Sequence, residues 1–361
     1  MKKIEVNINN QHPIIINNKI IKNIDKYLST YLSNNKIILI TQDSIYKFYK
    51  KELKILFSKY DFNIFFLKEN ETSKSFSEYK KLIKKLIEFQ CNRKTTLIAF
   101  GGGVVGDITG FVASTYMRGL DFIQIPTTLL AMIDSSIGGK TGINLSEGKN
   151  LIGTFYQPKL ILVDPSLIQT LPKKEIISAL GEIIKYGSIS NINFLKYLFK
   201  NIDEILMNKD SLLLEQIIIE CITIKVGIVE KDEKEKGNRQ ILNFGHTLAR
   251  VLENKIGYGK ISHGEAVAYG IVTASYLSMK YNKLPINDYE LICSCIKKLS
   301  LPLIKNINIM SLIELMKNDK KNNNDYINFV LLEKIGKPII NNFFKKSQIE
   351  EALNNNEYFS N

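Results

Sequence analysis

The chain has 361 residues, of which 45% are apolar and 24% charged; that suffices for two ordinary domain cores and excludes wholesale disorder, a collagen-like repeat and a small disulfide scaffold. Basic residues outnumber acidic ones 49 to 36, for a net +13, but the excess is lysine from a composition rich in Lys, Ile and Asn, and no basic run is interleaved with aromatics, which argues against a nucleic-acid surface. No stretch reaches 18 uncharged apolar residues, and Met1–Glu5 runs into asparagine-rich sequence, so neither a membrane span nor a signal core is expected and the chain should act in the cytoplasm.

In chain order, residues 36–41 (Lys-Ile-Ile-Leu-Ile-Thr) read as a buried strand, and Ile45, Phe48, Leu53, Leu56 and Phe57 give 44–60 a helical period. A strand over 62–67, a helix over 76–91 and a strongly apolar strand over 95–100 follow, then short strands at 122–125 and 160–163. Strands alternating with helices predict a parallel α/β sheet. Beyond Asp164-Pro165 and Leu171-Pro172 the texture becomes helical, over 173–186, 193–206, 212–230, 244–254 and 264–280. One boundary near 165–173 therefore separates an α/β domain (1–172) from an all-helical one (173–361). The lysine- and asparagine-rich segment 317–325 reads as a solvated loop.

Strand 95–100 feeds into Gly101-Gly102-Gly103-Val104-Val105-Gly106-Asp107, a G-x-G-x-x-G pattern in the strand–turn–helix setting where backbone N–H groups approach a pyrophosphate. A glycine-rich packing turn is the competing reading. The motif arrives some 100 residues late for a standard dinucleotide fold, and the acidic residue about 20 further on, Asp121, precedes a strand; Asp43, just past the first clear strand, is the better ribose candidate. The glycine-rich stretch 126–153 holds Asp134, Lys140, Lys149 and Asn150 on tight turns, suited to a polyhydroxylated anion, or to no more than a solvated loop. Glu182 and Lys185 stand at i and i+3, an ordinary salt pair by default. His246 and His263 each sit beside a glycine at a helix start. Two histidines and a carboxylate are a catalytic zinc set with open positions, but this spacing fits no local metal motif, and a satisfied core histidine is the commoner outcome. Cys91, Cys221, Cys293 and Cys295 form no Cys-x-x-Cys pair and indicate neither disulfides nor a thiolate site.

Taken together, the motifs Gly-Gly-Gly-Val-Val-Gly-Asp (101–107), Tyr-Met-Arg-Gly (116–119), Gly-Gly-Lys-Thr (138–141), Gly-Lys-Asn (148–150), Gly-Glu-Ile-Ile-Lys-Tyr-Gly (181–187), Asn-Phe-Gly-His-Thr (243–247) and Ser-His-Gly-Glu (262–265) resemble the 3-dehydroquinate synthases, in the family's order and over about residues 36–340. The resemblance implies a Rossmann-like parallel sheet plus an all-α C-terminal domain. It implies an NAD-dependent, zinc- or cobalt-requiring lyase of the shikimate pathway, which turns 3-deoxy-D-arabino-heptulosonate 7-phosphate into 3-dehydroquinate and phosphate. Metal ligands carry over to Glu182, His246 and His263. Cofactor contacts carry over to Asp43, Glu71, Lys74, Gly103, Val104, Val105, Gly106, Asp107, Thr127, Thr128, Lys140, Lys149, Leu167, Ile168, Gln169 and Thr170. Substrate contacts carry over to Asp134, Lys140, Asn150, Lys185, Lys225, Arg239 and Asn243, with Lys320 a further candidate and Arg118 similar to an arginine donated across a homodimer interface. One departure stands out: the family typically has a second histidine four residues after His246, where this chain has Arg250. Competing readings are a cyclase making deoxy-inosose or valiolone rings, a metal-dependent glycerol-type dehydrogenase, and a decayed NAD-binding homologue; residues 231–239 favour the dehydroquinate branch.

Overall fold

The apolar runs that read as strands form, in a computed structural model, the centre of a seven-stranded sheet. The structure describes residues 1–8, 10–32, 36–145, 148–209, 211–257, 259–317 and 326–359. They divide into two compact units, Met1–Leu171 with Asp210–Glu233, and Pro172–Lys209 with Lys234–Asn361. Among the described residues no helix is long and apolar enough to cross a membrane.

In the first unit the strands are β1 (Lys2–Val6), β2 (His12–Ile16), β3 (Lys36–Gln42), β4 (Asp61–Leu67), β5 (Thr96–Gly101), β6 (Asp121–Pro126), β7 (Lys140–Leu145), β8 (Gly148–Phe155) and β9 (Leu160–Val163). The sheet order is β1-β2-β9-β6-β5-β3-β4, parallel throughout except for the β1–β2 pair. All residues of β5 and β9 are buried, as strands covered on both faces must be, hence their unbroken apolar sequence. From β3 the chain steps outward to β4 and then returns past β3 to β5, so the direction of winding reverses between β3 and β5. Ligands bind open α/β sheets at the carboxyl ends of strands flanking such a reversal. This explains the late glycine motif: it follows the third strand of the doubly wound series.

Two expectations for this unit need correction. The stretch 140–155, open to reading as a solvated loop, pairs as an antiparallel hairpin, β7 with β8. The helix Ser211–Val229, assigned by a single cut near 165–173 to the helical half, belongs to the first unit. It is apolar nearly all round, and a helix without a polar face carries no signal of which core it joins.

The second unit contains helices Lys173–Ser190, Ile192–Asn208, His246–Ile256, His263–Asn282, Ile286–Lys297, Ile309–Lys317 and Lys346–Asn354. It is not all-α: β10 (Ile327–Lys334) and β11 (Lys337–Phe344) form an antiparallel hairpin. Register shifts after Phe329 and Leu332 break the two-residue alternation, which is why the strands were not legible. The helix His263–Asn282 is the axis of this unit, with thirteen of its twenty residues buried.

Candidate active site

Each unit holds a polar cluster of its own. In the first, the register Ile40↔Ala99 and Gly101↔Pro126 brings the residues after β3, β5 and β6 level: Asp43, Gly102 and Thr127. Thr127 N–H donates to Gly101 O at 3.0 Å, and Thr128 Oγ1 accepts from Ala131 N at 3.1 Å. The helix Gly103–Thr115 starts at this edge, presenting first-turn N–H groups that have no partner within the helix. A Cβ on Gly106 would lie 2.7 Å from Gln124 Oε1 of β6, and one on Gly103 2.8 Å from the Ser135 hydroxyl and 3.2 Å from its Cβ, so a methyl at either position needs the facing side chain to shift. Asp43 opens the next helix, exposed and paired with Lys47 at 2.5 Å.

Beside this edge Lys74 is buried and its ammonium bonds Asp107 Oδ2 at 2.6 Å and Asn150 Oδ1. Burial opposes its charge, but Asp107 and Glu71 outweigh it and raise its pKa. Asn144, absent from the sequence expectations, donates to Glu71 Oε1 at 2.8 Å and accepts from Asn150 N at 3.0 Å, joining the β7–β8 hairpin to Glu71. Lys225, from the reassigned helix, donates to Asp134 Oδ1 at 2.6 Å and to the Asp134 carbonyl. Leu167, Ile168, Gln169 and Thr170 lie on a short turn after β9, where Tyr49 Oη meets Leu167 O at 3.2 Å and Thr170 Oγ1 at 3.0 Å. Val104 and Val105 fall in the first helical turn, with Val105 buried. Lys140 is exposed at the start of β7, Lys149 half-buried on β8, and Arg118 exposed.

In the second unit Glu182, His246 and His263 come together with one ligand atom each, all within 4.8 Å of one another. The cause is visible in the motif glycines. Gly181 precedes Glu182 and Gly264 follows His263; a Cβ on Gly181 would collide with Gly264 O, and one on Gly264 with Ser178 O. Helices Lys173–Ser190 and His263–Asn282 thus touch backbone to backbone, which brings a carboxylate and an imidazole from separate helices to one point. Gly270 likewise has no room for a Cβ against Gly245 O, next to His246.

Glu182 is fully buried, and its Oε1 lies 3.4 Å from His246 Nε2 and 3.2 Å from His263 Nε2. Lys185 pairs with its Oε2. Both imidazoles turn Nδ1 away, His246 to Phe244 O at 3.2 Å and His263 to Glu253 Oε2 at 3.3 Å. Burial pushes His246 down to about 3, with Glu182 opposing and Lys185, His263 and Arg250 adding to the fall. At His263 burial also opposes the charge, but hydrogen bonds with Glu182 and Glu253 outweigh it and raise it to about 10. A buried carboxylate with two histidines aiming Nε2 at it, each held through Nδ1, is the donor set and outer shell of a divalent transition-metal site, so the residues fit such an ion. Glu265, the remaining acid of the Ser-His-Gly-Glu motif, is used otherwise: it forms a capping box with Ser262.

Arg239, on the turn before helix His246–Ile256, is almost fully buried. Asn243 Nδ2 donates to Glu235 Oε1 at 2.7 Å, and Arg250 Nη2 donates to Asn243 Oδ1 at 2.9 Å; Arg250 is exposed as a residue yet held at the site by this bond. Lys320 lies outside the described residues. Sequence reasoning missed Glu253, although its place two turns after His246 on the same helix was a usable signal.

Comparison with solved structures defines the class. The fold is shared with 2-deoxy-scyllo-inosose synthase complexed with carbaglucose-6-phosphate, NAD+ and Co2+, at TM-score 0.88, 24% identity, and coverage of 97% of this chain and 98% of that one. It also matches 2-epi-5-epi-valiolone synthase from Streptomyces hygroscopicus subsp. jinggangensis 5008, with NAD+ and Zn2+ bound, at TM-score 0.86, 24% identity and 95% of each chain. Residues 64–178 match the 3-dehydroquinate synthase N-terminal family and residues 179–322 the 3-dehydroquinate synthase C-terminal family. The chain belongs to the 3-dehydroquinate synthase family, and a relative of that name from Dictyoglomus thermophilum is 42% identical over 98% of both chains.

Proposed function

We propose that the chain converts 3-deoxy-D-arabino-heptulosonate 7-phosphate into 3-dehydroquinate and phosphate, by transient oxidation, phosphate elimination, re-reduction, ring opening and intramolecular aldol closure. The observation that carries this is the convergence of the buried Glu182 with the half-buried His246 and His263 in a chain 42% identical to a named 3-dehydroquinate synthase. The lower identity, 24%, to the inosose and valiolone synthases supports the dehydroquinate branch over theirs. Bound at these residues, zinc or cobalt would polarise a substrate hydroxyl, and NAD at the β3–β5 edge would take a hydride and return it.

The chain's own residues then have assignable work. Nδ1–H donation to Phe244 O and Glu253 fixes the tautomer of His246 and His263 so that each Nε2 offers its lone pair. Lys140, Lys185, Lys225 and Arg239 meet the phosphate and carboxylate of a dianionic-to-trianionic substrate, and Asn150 and Asn243 orient its hydroxyls. Asp134 keeps the Lys225 ammonium in place. At the cofactor edge, Asp43 serves the ribose hydroxyls, the turn Gly103–Asp107 the pyrophosphate, and Glu71, Lys74, Thr127, Thr128, Lys149 and the turn Leu167–Thr170 complete the binding surface.

We further propose a homodimer in which Arg118 serves the neighbouring subunit. Met117 (φ 50°) and Arg118 (φ 65°) adopt left-handed backbone, a strained turn that holds the guanidinium outward, and Met117 and Phe155 are exposed apolar side chains. The cytoplasm is the proposed compartment, because all four cysteines are free thiols.

The test is phosphate release from the heptulosonate phosphate by the purified protein with NAD and zinc or cobalt. Release without accumulation of NADH supports the reading. Stoichiometric NADH would move the protein to the dehydrogenase class, and NAD binding with no turnover under either metal to the decayed homologue.

A further inference from the structure

Helix His246–Ile256 carries a second group that points back to the ligand cluster. Glu253 lies seven residues after His246, two turns along the same face and about 10 Å along the axis. Its carboxylate is buried, and Oε2 stands 3.3 Å from Nδ1 of His263, the ligand candidate on the neighbouring helix. Burying a carboxylate costs several kcal/mol unless a donor compensates it, and the imidazole N–H is such a donor. The two histidines differ in this respect: His246 leans on a neutral backbone carbonyl, Phe244 O, and His263 on a full negative charge.

We propose that Glu253 is a positioning residue of the metal centre: it fixes the ring and tautomer of His263, makes its Nε2 the stronger of the two nitrogen donors, and thereby sets the affinity of the site for its ion. The inference rests on the metal-centre reading above and adds a residue to it. One helix then supplies a ligand, His246, and the outer-shell carboxylate of the other histidine, so the spacing between His246 and His263 is governed by a rigid two-turn segment. Glu265 cannot take this part, because its side chain is occupied by the Ser262 backbone at 2.7 Å.

The test uses the full chain loaded with zinc, with metal affinity read by competition against a chromophoric chelator and thermal melting read on the metal-free protein. Glu253→Gln keeps the shape and one acceptor but removes the charge, and Glu253→Ala removes both. Affinity should fall about 10-fold for Gln and about 100-fold for Ala, with metal-free melting of Glu253→Gln within a few degrees of the parent and the visible spectrum of its cobalt form still that of a four- or five-coordinate site. His263→Ala is the control and should lose the metal. Retention of parental zinc affinity in Glu253→Gln while His263→Ala has lost it would overturn the role given to Glu253 and leave the metal centre standing. Retention of zinc in His263→Ala would overturn the centre itself. A fall in metal-free melting of Glu253→Gln with unchanged affinity would make Glu253 a packing residue and equally overturn the proposal.

Discussion

Asp43, Gly102 and Thr127 are level because three parallel strands hold one register, whereas Glu182, His246 and His263 share no repeat and meet because three helices approach at glycines. The first arrangement follows from sheet topology: any right-handed doubly wound sheet puts its strand ends together. The second follows from pairs of positions distant in sequence, Gly181 with Gly264 and Gly245 with Gly270, where a single methyl would drive the ligands apart. A methyl at the sheet-edge glycines Gly103 or Gly106 meets side chains that can shift, so the fold should tolerate it there, whereas between helix backbones it should not.

The sharpest way to break this contrast is to remove a ligand. His263→Ala, or exhaustive chelation of the parent, should lower turnover by more than about 1,000-fold, since several kcal/mol of charge stabilisation disappear at tenfold per 1.4 kcal/mol. Phosphate release before and after readdition of zinc or cobalt measures it, and full activity after chelation would sink the metal reading.

Next come the glycines. Gly264→Ala forces a Cβ onto the Ser178 carbonyl, a backbone atom that cannot rotate away, and should cost about 3 kcal/mol, the upper end for overpacking, together with the metal. Gly103→Ala meets side-chain atoms alone, the Ser135 hydroxyl, which can turn aside, and the Ser135 Cβ at 3.2 Å, which must give by a few tenths of an ångström; stability should change by less than about 1 kcal/mol, and NAD affinity should fall about tenfold as the backbone is screened from the pyrophosphate. Denaturant melts and NAD titration of both variants decide. Equal losses of stability would erase the distinction drawn here.

The same contrast explains what could be read from the sequence. The sheet is legible because buried parallel strands are short apolar runs, and the place of Asp43 just after one of them follows from the same pattern. The three ligands were visible as residues but not as a cluster, since nothing local relates position 182 to 246 or 263; family resemblance supplied what spacing could not. Asn144 and Glu253 went unnoticed because an asparagine in a hairpin and a glutamate on a helix have many ordinary uses. Its bulges hide the β10–β11 hairpin from a two-residue period, and nothing in the apolar helix Ser211–Val229 signals that it groups with the first unit, where its Lys225 meets Asp134.

A smaller effect tests the proposed homodimer, in which one subunit would complete the other's site. Arg118→Ala and Lys140→Ala should each be nearly inactive alone. Mixed and allowed to exchange, they should form hybrid dimers with one intact site in two, restoring about a quarter of parental activity when half the dimers are hybrids. Exchange verified by mass, with no activity regained, would show that each Arg118 serves its own chain.

The least effect, and the one that most sharpens the description of the helical site, concerns Arg250. Its guanidinium is permanently charged and cannot exchange protons near neutrality, so at this position, where the family typically carries a second histidine, the chain has traded a proton carrier for a fixed cation. The trade has a structural use: Arg250 holds Asn243 Oδ1 at 2.9 Å while Glu235 holds the other end of the same amide, so Asn243 is oriented before any substrate arrives. Elimination need not fail for lack of an imidazole, because the departing phosphate can itself accept the proton. Arg250→His should therefore raise the chemical rate, by at most about 100-fold, the lower range of general acid–base help, and raise KM as a cation and the clamp on Asn243 are both lost. Single-turnover phosphate release separates the two effects: a faster burst with weaker binding is the expected pattern. An unchanged burst with unchanged KM would mean that Arg250 neither binds substrate nor stands in for a proton carrier.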